Sequence, residues 1–107
     1  MATNFTPADA AVLATRTLLY TTPGATQSVV FSGTVANVDD TNMSDHTITI
    51  EVQKVDTSYI NVINAVPIPY GSSLALPKIA LATGEKLYFK ADAASALVAR
   101  LSIVEKT

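Results

Sequence analysis

Val66-Pro67-Ile68-Pro69-Tyr70-Gly71-Ser72-Ser73-Leu74-Ala75-Leu76-Pro77-Lys78-Ile79-Ala80-Leu81-Ala82-Thr83-Gly84-Glu85-Lys86-Leu87-Tyr88-Phe89-Lys90-Ala91 decides the fold class. Apolar residues recur at every second position, and the runs are cut by the turn signals Pro-Tyr-Gly and Ala-Thr-Gly-Glu. A period of two is the period of a strand with one buried and one wet face. Pro67 and Pro69 cannot donate to a β-ladder, which assigns their segment to a sheet edge or a rim. Ser73–Leu76 and Ile79–Leu81 read as short extended pieces on either side of Pro77, and Leu87, Phe89 and Ala91 alternate with Lys86, Tyr88 and Lys90.

The same pattern extends in both directions. Leu97, Ala99, Leu101 and Ile103 alternate with Val98, Arg100, Ser102 and Val104, and Ala91–Ser95 supplies a small-residue hairpin or a short crossover before them. Upstream, Ile48, Ile50 and Val52 alternate with Thr47, Thr49, Glu51 and Gln53. Between Gln27 and Val38, Val29, Phe31, Gly33 and Val35 fall on one face, with Gly33 marking a bulge or a close backbone approach. Thr15–Thr22 is rich in β-branched residues and stops at Pro23-Gly24. Seven or eight short strands at roughly 8–12-residue spacing predict an all-β protein, a single antiparallel β-sandwich of Ig-like or jelly-roll type.

Residues 1–14 stand apart. Thr6-Pro7-Ala8-Asp9 has the form of a helix start, with Thr6 as N-cap and Pro7 in the first turn, ahead of the helix-forming Ala10–Ala14. A helix this short is marginal in water, so one or two helical turns and an extended arm are both open. The expected organisation is an arm or short helix over 1–14 and a sandwich over 15–107.

Composition bounds the function. The chain has 107 residues, no cysteine, 49% hydrophobic and 15% charged residues, and a net charge of −2. One domain of this length can bury about 65% of its unfolded surface, so a core needs no staples. The absence of cysteine excludes disulfides, thiolate metal sites and a cysteine nucleophile. The charged fraction lies well below the roughly 25% of ordinary soluble domains, which implies a neutral surface of the kind covered by other subunits. Seven scattered Lys and Arg form no basic face for a nucleic acid. No apolar run approaches the roughly 18 residues of a membrane span, and the N-terminal residues lack the basic segment of a secretory signal, which together predict assembly in a cytoplasm.

No catalytic set emerges. His46, the sole histidine, lies beside Asp45 at the start of a strand, with no second histidine and no nucleophile motif; a polar strand-start residue accounts for it. Asp39, Asp40, Asn42 and Asp45 form an acidic loop without the glycine turn and terminal glutamate of a calcium loop. The glycines at 24, 33, 71 and 84 are isolated and cradle no phosphate. Phe31 and Phe89 read as core, and Tyr59, Tyr70 and Tyr88 with Phe5 as rim, subunit contact or a sugar-stacking platform. No cofactor or metal is expected.

Leu18–Val30, with Ala36-Asn37 and Ile48–Val52 after it, resembles the opening of small tailed-bacteriophage virion proteins. The second half, from the proline-led Val66–Leu74 through Ile79–Leu87 to Ala91-Asp92-Ala93, resembles the same group. The likeness is one of pattern over roughly residues 15–105, and Thr3–Ala14 departs from it. It implies a non-enzymatic head decoration, cement, neck or tail accessory protein located in the virion, a homo-oligomer with phage capsid or tail proteins as partners. The interface residues expected on this reading are Phe5, Val66, Ile68, Tyr70, Val98 and Val104. A carbohydrate-binding module that contacts a host glycan through Tyr59, Tyr70 and Tyr88 is the alternative.

Overall fold

The computed structural model describes residues 3–94 and 96–106. Its nine strands are β1 (Thr3–Val12), β2 (Thr17–Thr21), β3 (Gln27–Asn37), β4 (His46–Gln53), β5 (Tyr59–Ile68), β6 (Ser73–Ala75), β7 (Ile79–Leu81), β8 (Lys86–Ala91) and β9 (Leu97–Lys106). Sheet A runs β1-β9-β3-β6, with β7 also on β3, and sheet B runs β2-β8-β4-β5. Every pairing is antiparallel. The count exceeds the expected seven or eight because residues 3–12, expected as an arm or short helix, form a strand of their own; Pro77, which lacks an N–H, separates β6 from β7 as expected.

The pairing follows one rule. The chain doubles back at residues 54–58, so that β4 meets β5, β3 meets β6 and β7, β2 meets β8, and β1 meets β9. These nested pairs alternate between sheets, and β9 on β3 and β8 on β4 join them. A long hairpin wound in this way into two sheets is a jelly roll, which decides between the two expected sandwich types.

The inward faces meet in a core of Ile48, Ile50 and Val52 from β4, Leu87, Phe89 and Ala91 from β8, and Leu97, Ala99, Leu101 and Ile103 from β9, all as the period of two requires. Gly71 and Gly84 take positive φ values of 78° and 83° in the two turns of the deciding stretch, a conformation that costs glycine little. Pro67 lies in β5, an edge strand, as its missing donor demands.

Three expectations change. Residues 3–12 form no helix; they are extended and pair with β9 along their whole length, so β1 belongs to the sandwich. Phe31 is exposed and outside the core, because the β3–β9 register shifts between Val30 and Ser32. That bulge moves Val29 and Phe31 outward while Val30, Gly33 and Val35 face inward. Ile68, expected at an interface, is 1% exposed and part of the core. The link from β8 to β9 crosses from sheet B to sheet A, and Ser95 within it lies outside the described residues.

Candidate functional site

Polar side chains converge at one end of the sandwich. His46 opens β4, and its side chain is about nine-tenths buried. Its Nε2 lies 2.7 Å from Asp39 Oδ2 in the loop after β3, and its Nδ1 lies 2.8 Å from Asp92 Oδ1 after β8. Asn37, buried at the end of β3, donates from Nδ2 to the carbonyls of Ser44 and Ile68 and accepts the Asp39 N–H at Oδ1. Asp39 also accepts the N–H of Asn42, and Tyr70 donates its hydroxyl to Asp40 at 2.6 Å. The acidic loop is thereby folded onto the sandwich end by its own side chains.

The electrostatics follow from these contacts. The Asp39 carboxylate, then that of Asp92, raises the His46 pKa above its ordinary value. The His46 hydrogen bond, with help from the Asn42 N–H, lowers that of Asp39. A histidine with both ring nitrogens held by carboxylates has none free to act as a base. Among the described residues, no group of three or more His, Asp or Glu side chains could hold a metal ion.

A second cluster covers the outer face of sheet B. Arg16 donates to both carboxylate oxygens of the mostly buried Glu51, at 2.9 and 3.2 Å. Its guanidinium lies 3.8 Å above the Tyr59 ring, and Tyr59 meets Tyr88 edge to face at 5.7 Å. Tyr70 sits at the far end of β4 from this pair, against Asp40. The three tyrosines of the glycan alternative therefore do not form one platform, and Arg16 covers a face of Tyr59.

The outer face of sheet A is apolar at one end. Phe5 on β1, Val104 on β9, Val29 on β3 and Ala80 on β7 are successive partners across the sheet. Phe5 is 79% exposed and Phe31, beside this row on the bulge, 55%. Farther along the strands, Asp9 pairs with Arg100 at 2.8 Å, and Ala11, Val98 and Ala36 form another apolar row.

Of the six expected interface residues, Phe5, Val98 and Val104 share this face. Val66 is half-buried on β5, Tyr70 is partly exposed in the turn beyond it, and Ile68 is in the core. Val29 and Phe31 are surface residues that the strand pattern missed, since alternation alone does not locate a bulge.

No protein-family model matches the chain, and no curated protein matches it. The fold is similar to a solved chain from work on Bacillus endospore appendages, which form a novel family of disulfide-linked pili. The TM-score is 0.59 at 14% identity, over 97% of this chain and 84% of that one. At that identity the likeness is one of fold.

Proposed function

We propose that this chain is a non-enzymatic structural subunit that assembles by burying the outer face of sheet A against neighbouring subunits. The observation that carries the reading is the row Phe5, Val104, Val29 and Ala80 with Phe31 beside it, an apolar surface on a chain short of charge. The pilus-forming protein of similar fold supports a structural role in a surface appendage or particle. This chain has no cysteine, so its contacts are not disulfide bonds and gain strength from their number. The resemblance to tailed-phage proteins supports a virion as the setting, with the subunit decorating the capsid lattice or the head–tail region as a homo-oligomer. Phe5, Val98 and Val104 form the main contact, and Val66 and Tyr70 a second one at the β5 edge.

The test is sedimentation of the purified protein over a range of concentrations, with negative-stain imaging of the protein mixed with empty particles. Oligomers or decorated particles are expected, and Phe5→Glu with Val104→Glu should weaken association about tenfold or more while the variant stays folded, since each charge is buried without a partner. A strictly monomeric wild-type protein with no affinity for particles overturns the reading.

A further inference from the structure

A neutral imidazole carries one N–H donor and one lone-pair acceptor. The carboxylates of Asp39 and Asp92 face the two ring nitrogens of His46 from two different connections, at 2.7 and 2.8 Å, and an ionised carboxylate only accepts. Both bonds exist together only when both nitrogens bear protons. Removing one proton leaves a lone pair against a carboxylate in a largely buried site, which is repulsive.

We propose that His46 is a proton-operated clamp: doubly protonated, it fastens the loop of residues 38–45 to the Asp92 connection, and loss of one proton releases that loop from the end of the sandwich. The loop is built to move as a unit. Its internal bonds, Asn42 N–H to Asp39 Oδ1 and Met43 N–H to the Asp39 carbonyl, centre on the residue that His46 holds. Asp39 and Asp92 are the charged groups that face the ring among the described residues; Asp45 is exposed, and Asp40 is engaged by Tyr70. The raised affinity of His46 for its proton places release on the alkaline side of the ordinary histidine range. Nothing in the assembly role requires this device, and it stands independently of that reading.

Because His46 is the sole histidine, its ring nitrogens can be followed without assignment ambiguity in the intact, ¹⁵N-labelled protein. At the pH of the ordinary histidine pKa, where a free imidazole is half protonated, more than half of the rings should carry both protons. As pH rises from there, the amides of residues 39–43 should shift and lose exchange protection with the same midpoint as the ring. Asp92→Asn replaces an acceptor with a side chain that can donate to Nδ1, so the ring midpoint should fall by about one pH unit and the loop should stay closed after deprotonation. Asp92 is nearly half exposed, so this variant should fold; Asp92→Ser is a second variant with the same expectation for the midpoint. Tyr70→Phe removes a further tether of the loop, beside the bonds of Asn37 to Ser44 and Asp39, and should leave the transition tied to the ring. A ring no more protonated than a free imidazole, loop amides that stay still through the ring titration, or an alkaline transition that vanishes in Tyr70→Phe overturns the proposal.

Discussion

A methyl group at Gly33 would lie 2.7 Å from Leu101 Cδ2, 3.0 Å from the Arg100 carbonyl oxygen and 3.1 Å from Leu76 Cδ1. The leucines can rotate, but the backbone oxygen is held in the β3–β9 ladder. Gly33→Ala should therefore cost about 1–3 kcal/mol, read as a lower urea midpoint at unchanged slope. Thr22 presents the opposite case: it is 2% exposed, and its Oγ1 has no hydrogen-bond partner. Valine has the same shape without the hydroxyl, so Thr22→Val should raise stability by about 1 kcal/mol in the same assay. At Ile68, truncation to alanine should cost about 2–5 kcal/mol, so a substitution there reports on folding rather than on assembly. Gly33 was legible in the sequence as a glycine amid β-branched residues. Ile68 was not, because its flanking prolines point to a rim while its side chain turns inward.

At the scale of the element, β1 shows how pairing overrides local preference. Thr6-Pro7 followed by alanines is a helix signal, yet the inward positions Thr6, Ala8, Ala10 and Val12 suit a flat strand against β9. Ten ladder positions supplied by a neighbour outweigh a helical tendency of a few tenths of a kcal/mol per residue. Removing residues 3–12 should uncover the edge of β9, an alternating strand of Leu97, Ala99, Leu101 and Ile103, and convert the protein to an aggregating form. Light scattering on gentle warming would check this, and a soluble truncated monomer would contradict it. Strand β3 failed differently: the extra residue at Phe31 reverses the phase of everything before it, and no residue type announces that shift.

For the whole molecule, the two-sheet class followed from alternation and turn spacing, but alternation records which face a residue lies on and is silent about which strand lies beside it. The jelly-roll order became visible only in the pairing. Nesting has a kinetic cost, since pairing β1 with β9 closes a loop of nearly the whole described chain. Refolding is accordingly expected in milliseconds to seconds, measurable by stopped-flow tyrosine fluorescence.

The pH dependence of stability has two limits. The folded pKa of His46 lies above its ordinary value, so its contribution is complete below the ordinary value and is lost as pH rises through the folded one. Asp39 is lowered, so its contribution is present above the ordinary carboxylate value and is lost as pH falls through its folded pKa. Urea midpoints across pH should show a plateau between these limits, with His46→Gln removing the alkaline decline.

The mirrored pairing also sets the start of β1 beside the end of β9. Thr3 stands opposite Lys106, while residues 54–58 turn at the other extreme of the pairing scheme. A short bridge could join residues 3 and 106, and a cut at 54–58 would then give a circularly permuted chain with the same nested pairs in a new order of synthesis.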